Sequence, residues 1–219
     1  MMFQLARELR AIYRRILVTT TTHIHVPEKD QCDRCLLFDQ LHKSTNGLCG
    51  ITAVGYQELQ PENKYTGLEF YQLAKLKNRF DCILIESDGA AGKSIKTPSK
   101  HEPVIWPETS ILIGVTGFSA FEKPIDFDIV HRPGCFAAFA NKQVGEKTDH
   151  SVIAHLIDSP KGLFKNTPDG CKTVWVINQV DSSEQRVKAE GFVKYVLNFT
   201  RRPDRVIIRG NQNPLKVLG

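Results

Sequence analysis

Long apolar runs are missing from this sequence. Nowhere in its 219 residues does a stretch approach the roughly 20 consecutive apolar side chains that a membrane-spanning helix needs. The amino-terminal MMFQLARELRAIYRR reads as an amphipathic helix and lacks the continuous apolar centre of a secretory signal. The expectation is therefore a cytoplasmic protein with no membrane partner. Blocks of like charge are missing too. The 29 Lys and Arg against 24 Asp and Glu leave a formal charge of +5, but the cations are scattered. The pairs Arg14, Arg15 and Arg201, Arg202 read as solvated ends of elements, not as a track for a nucleic-acid backbone. Nucleic acid drops out as an expected partner, and a phosphate-bearing small molecule remains. Cysteine is sparse: six in a chain of this size argue for reduced thiols and against a disulfide scaffold. What is present, 41% hydrophobic and 24% charged residues, is ordinary globular composition and is consistent with one domain over 1–219.

Apolar residues at Phe3, Leu5, Ala6, Leu9 and Ile12 recur at helical spacing and lead into a β-branched run at 16–18. No strand or cap precedes this helix, so something upstream of it is expected to be absent. Further strands are expected at 35–38, 51–56, 82–86, 111–115, 174–178 and 206–208, and helices at 68–79, 149–156 and 184–199. Near-continuous apolar strands alternating with amphipathic helices imply an α/β fold, with a mostly parallel sheet covered by helices on both faces. Ligands of such sheets sit at the carboxyl ends of strands.

At those ends stand the chemically useful residues. The first strand runs into Thr19, Thr20, Thr21 and Thr22, whose hydroxyls suit phosphate oxygens or a Mg²⁺ shell, although threonine is also a plain strand former. The strand at 82–86 ends in Glu86, Ser87, Asp88 and Gly89. Two carboxylates two residues apart suit metal holding and water orientation, with Asp88 the Mg²⁺ candidate, and the glycine lets backbone approach a phosphate. The alternative is a simple turn at Asp88 and Gly89. After the strand at 174–178, Asn178, Gln179, Val180 and Asp181 resemble the NKxD motif by which GTPases read guanine, with Gln179 in place of the lysine; Asp181 or Ser182 is equally a helix cap.

Two further groups stand out. Lys96, His101 and Glu102, together with His131 and Arg132, follow strands and offer charge and imidazoles to a small anion or a partner. The competing reading is a Glu102–Arg132 ion pair pinning a loop stiffened by Pro98, Pro103 and Pro107. Cys32 and Cys35 form a CxxC with His42 and Cys49 downstream. Only one half has a zinc-knuckle spacing, which favours unlinked thiols.

The segments ILVTTTTHI at 16–24, ILIESDGAAGKSIKTPSKHEPVI at 83–105, VTGFSAFEKPI at 115–125, HRP at 131–133 and VINQVD at 176–181 resemble, in order, the YqeC family, described as accessory proteins of selenium-dependent molybdenum hydroxylases. The resemblance implies a P-loop NTPase-like fold and a role in maturing such a hydroxylase or its cofactor. Catalysis would fall to Glu86 and Asp88, nucleotide contacts to Thr20, Thr21, Gly89, Asn178 and Asp181, and Mg²⁺ with ATP or GTP would be bound by the full-length form. The partners implied are the molybdenum hydroxylase or other cofactor-maturation proteins. Family members open with a strand and a glycine-rich GK[ST] loop just before the stretch that begins here at Met2, and here no such segment precedes it. Without that loop, a scaffold or chaperone that holds a cofactor precursor or apo-hydroxylase without turning over nucleotide is the alternative.

Overall fold

The computed structural model describes residues 1–43, 48–198, 203–210 and 216–218, with only the backbone described for 42, 43 and 216–218; Arg201 and Arg202 lie outside the described residues. By its contacts the chain groups into two compact units, 1–89 and 90–219. The parallel strands that the sequence suggested would form one sheet are divided between two four-stranded sheets.

The first unit contains α1 (Met2–Leu9), β1 (Arg15–Thr20), β2 (His23–His25), β3 (Arg34–Leu37), α2 (Phe38–Lys43), β4 (Gly50–Gly55), β5 (Glu58–Leu59), β6 (Lys64–Thr66), α3 (Phe70–Leu76) and β7 (Cys82–Glu86). Its main sheet has the order β3-β4-β1-β7, parallel throughout. Every β1 residue from Ile16 to Thr20 is buried, which is why the run is apolar without alternation: a central parallel strand is covered on both faces. On one face Ala6 of α1 packs with Ile16, Val18 and Ile51, while Phe3 and Leu9 complete the contact. Each fully buried aliphatic side chain there contributes about 1.5–3 kcal/mol. Asp81 sets the register at the strand starts. Its carboxylate accepts the Arg15 backbone N–H at 2.8 Å and the guanidinium of the same residue at 2.6 Å. A small antiparallel sheet, β2-β6-β5, lies in the same unit.

The second unit contains β8 (Ile95–Lys96), β9 (Ile111–Gly117), β10 (Val130–His131), α4 (Pro133–Ala140), α5 (His150–Asp158), β11 (Lys172–Asn178), α6 (Ser183–Val196), β12 (Arg205–Ile208) and β13 (Lys216–Leu218). In the sheet β13-β12-β11-β9 only β13 runs antiparallel. The core gathers on Trp175, Phe136, Phe192, Ile153 and Leu156, all essentially inaccessible. Trp175 is accommodated because its Nε1–H donates to Thr116 Oγ1 at 3.0 Å, so the one polar atom of the indole is not stranded. Asp149 caps α5 by accepting from Val152 N at 3.0 Å, and Ser182 with Gln185 forms a capping box at the start of α6.

Candidate functional site at the strand carboxyl ends

In the first unit, parallel pairing puts Thr20 opposite Glu86 and so brings the threonine row and the acidic turn to the same sheet edge. Thr21 N donates to Glu86 O at 3.0 Å, and Thr20 Oγ1 donates to the same carbonyl at 2.9 Å. The Thr20 oxygen also accepts from Thr22 N at 2.9 Å, and Thr19 Oγ1 donates to Val54 O at 2.7 Å. The Thr19 and Thr20 hydroxyls therefore brace backbone inside the fold, Thr21 Oγ1 makes a longer contact of 3.5 Å with the Glu86 carbonyl, and Thr21 and Thr22 sit at the half-buried rim. Glu86 and Asp88 are half-buried and Gly89 is exposed. A Cβ on Gly89 would lie 3.4 Å from Glu86 Oε1, so the glycine and the carboxylate face each other closely. Gly67 closes the edge: a Cβ there would stand 2.3 Å from the Thr21 carbonyl carbon, so only glycine lets this strand end and the 66–68 segment touch.

Asn178 and Asp181 belong to the second unit. Asn178 Oδ1 accepts from Arg209 Nη1 at 3.0 Å, and the Asp181 backbone N–H donates to Gln185 Oε1 at 2.7 Å. Gln179, at the lysine position of the guanine-reading pattern, has φ +67° and accepts from Ser119 Oγ at 2.8 Å. Its amide packs where a Cβ on Gly117 would come within 2.5 Å, so it serves as a strut between loops. The triplet Gly92, Lys93, Ser94 is also no phosphate loop. It turns through Ala91 and Gly92 with positive φ and enters β8, whereas such a loop must open a helix whose first N–H groups meet the anion.

Around Glu102, cationic side chains and a backbone donor pin the 97–103 loop. Pairing of β8 with β10 sets Lys96 beside His131. The Glu102 carboxylate then accepts from Lys96 Nζ at 3.0 Å, from Ser99 N at 3.0 Å and from Arg132 Nη2. Burial pushes the Glu102 carboxyl up, but the Ser99 N–H, Arg132 and Lys96 outweigh it and hold the group at about 2. Lys165 grips the same loop by donating to the carbonyls of Ser99, Lys100 and Glu102, and Asn166 Nδ2 donates to Pro103 O at 3.0 Å. His101 is exposed. Arg132 takes φ +58°, a left-handed conformation that costs a non-glycine residue about 1 kcal/mol, and its buried Nε–H has no acceptor among the described residues.

A family model described as YqeC protein matches residues 1–134. A curated protein of Escherichia coli (strain K12), named "Uncharacterized protein YqeC", is 31% identical over 194 residues, which is 85% of this chain and 74% of that one. The chain belongs to the YqeC family. No solved structure matches it.

In this YqeC family member the cysteines are closer than the sequence suggested. Cys32 Sγ and Cys35 Sγ lie 3.1 Å apart in hydrogen-bond contact. Burial first, and then the Cys35 hydrogen bond, pushes the Cys32 thiol up to about 12. The CxxC spacing was the available signal; what it did not carry is the bend at Asp33 that makes the two sulfurs converge. Among the described residues no group of three or more His, Cys, Asp or Glu is placed to hold a metal ion. The His42 side chain lies outside that description. Nor is any described helix long and apolar enough to cross a membrane.

Proposed function

We propose that this chain is an accessory protein in the maturation of a selenium-dependent molybdenum hydroxylase or its cofactor, built on a P-loop NTPase-like plan. Mg²⁺ with ATP or GTP is held at the carboxyl edge of the first sheet. Membership of the YqeC family supports the broad assignment. The observation that carries the site is the Thr20–Glu86 register, which sets Thr21, Glu86, Asp88 and Gly89 around one strand end. In this reading Thr21 offers its hydroxyl to a phosphate oxygen or to the cation, Asp88 binds Mg²⁺, and Glu86 orients water. Gly89 keeps that approach free of a side chain. Magnesium takes one or two protein carboxylates and completes its shell with water and phosphate, so it does not require a preformed cluster of three. Thr20 acts from behind, fixing the backbone that presents Thr21.

Non-catalytic scaffolding is the second reading, and the Glu102 clamp favours it. Lys96, Arg132 and Lys165 are committed to the 97–103 loop, which makes that loop a rigid platform for a partner such as an apo-hydroxylase. The remaining Arg132 Nε–H is the group in that cluster most suited to a small anion. Deleting the gene in a host that makes the hydroxylase, and restoring it with wild type, Asp88→Asn or Arg132→Lys, separates the readings. Loss of hydroxylase activity with Asp88→Asn alone supports the nucleotide site. Loss with Arg132→Lys alone supports the scaffold, and full activity with both overturns the residue assignments.

A further inference from the structure

We propose that Cys32 and Cys35 form a redox-active dithiol site whose substrates are low-molecular-weight disulfides. It would close to an intramolecular disulfide by thiol–disulfide exchange.

The geometry comes from Asp33. A CxxC in extended chain would hold its sulfurs well apart, because successive side chains point to opposite faces. Here the chain bends just before β3, and Asp33 fixes the bend from three directions. Its N–H donates to Ile51 O at 2.9 Å, its carboxylate accepts from Ile51 N at 2.7 Å, and Arg10 Nη2 contacts both carboxylate oxygens at 2.9 and 2.8 Å. Gly50 makes room for this, since a Cβ there would fall 2.3 Å from Asp33 Oδ2. The result is an S···S separation of 3.1 Å, about 1 Å longer than a disulfide bond, between side chains held from both sides. Two sulfurs alone make half of a tetrahedral zinc shell but a complete dithiol.

Exposure divides the roles. Cys35 is exposed and Cys32 half-buried. The Cys35 thiolate attacks one sulfur of a disulfide RSSR; the S–S bond breaks, RS⁻ leaves and takes a proton from solvent, and Cys35–S–SR forms. Cys32 then gives up its proton to solvent and attacks Cys35 Sγ, expelling the second RS⁻. In sum the two protein thiols lose two electrons and two protons, and RSSR becomes two RSH. Burial keeps the proton on the inner thiol, and the exposed sulfur of Cys35, in contact with it, is the one a disulfide meets first.

The test uses the whole chain and oxidised glutathione, with mass spectrometry of intact protein and of peptides after maleimide trapping. Wild type should lose two hydrogens, become refractory to maleimide at both positions, yield a Cys32–Cys35 cross-linked peptide, and recover both thiols with dithiothreitol. Cys32→Ser should hold glutathione stably on Cys35. Cys35→Ser should slow the reaction at position 32 by about tenfold or more, because the exposed nucleophile is gone. The wild-type map decides even if a variant folds poorly. Glutathione persisting on wild-type Cys35 while Cys32 remains alkylatable would overturn the proposal, as would both thiols staying reduced under conditions that modify the exposed Cys49 or Cys135.

Discussion

Replacing Glu102 by Gln tests the clamp quantitatively. The carboxylate holds one backbone N–H and two cationic side chains, and its shift from 4.5 to about 2 corresponds to about 3 kcal/mol at face value. The side chain is 28% exposed and Arg132 is 32% exposed, so solvent screening reduces this to about 1–2 kcal/mol. Glu102→Gln also puts an amide where three donors converge and leaves the nearly buried Lys96, 8% exposed, without this carboxylate. A total loss of about 2 kcal/mol at pH 7 is expected. The sign with pH follows from a folded value below the unfolded one. The stabilisation is complete above the ordinary carboxyl value and fades as pH falls from about 5 towards 2, so wild type should approach the variant over that window. Urea unfolding followed by tryptophan fluorescence reads the right part of the molecule, because Trp106 and Trp175 both lie in the 90–219 unit. A difference below about 0.5 kcal/mol at pH 7, within the range of exposed pairs, would refute the clamp. So would a difference of the full size that does not change between pH 7 and pH 3.5.

Other substitutions probe the scaffold. Gly50→Ala should destabilise the first unit by about 2 kcal/mol or more, since the residue has φ +91° and its Cβ would collide with the Asp33 carboxylate; loss of hydrogen-exchange protection in β4 would report it. Asp149→Ala removes the α5 cap and one of the two carboxylate partners of Lys142 and should cost about 1–2 kcal/mol in urea unfolding. Trp175→Phe strands the buried Thr116 hydroxyl and opens a small void, for a loss of about 1–3 kcal/mol in thermal unfolding followed by circular dichroism.

The strands that were legible, β1, β3, β4, β7, β9, β11 and β12, carry apolar or β-branched runs; parallel pairing buries β1 and β4 almost throughout, whereas β9, at the edge of its sheet, leaves Ile111, Ile113 and Val115 exposed. The antiparallel β2, β5 and β6 were not legible, being two or three residues long and rich in His, Glu and Lys. The helix α4 was not expected from the sequence; Pro133 opens it at the position where a missing N–H costs nothing. Partition of the strands into two sheets depends on pairings between distant residues, which no local window holds. At the candidate site, residue types pointed to Glu86, Asp88 and the threonine row. Which hydroxyls are consumed by backbone follows only from the Thr20–Glu86 register. At Glu102 an anion site and a loop clamp call for identical residues, and the grip of Lys165 on the carbonyls of Ser99 and Glu102, 66 and 63 residues away, lies beyond any local window.

Calorimetric titration of the purified chain with ATP and with GTP, each with and without Mg²⁺, tests the nucleotide reading most directly. Saturable, Mg²⁺-dependent binding is expected for one of them. It should weaken by about tenfold or more in Asp88→Asn. Absence of heat with both nucleotides up to millimolar concentration, or binding that ignores both Mg²⁺ and Asp88→Asn, would contradict a nucleotide site at the Thr21, Glu86, Asp88 edge.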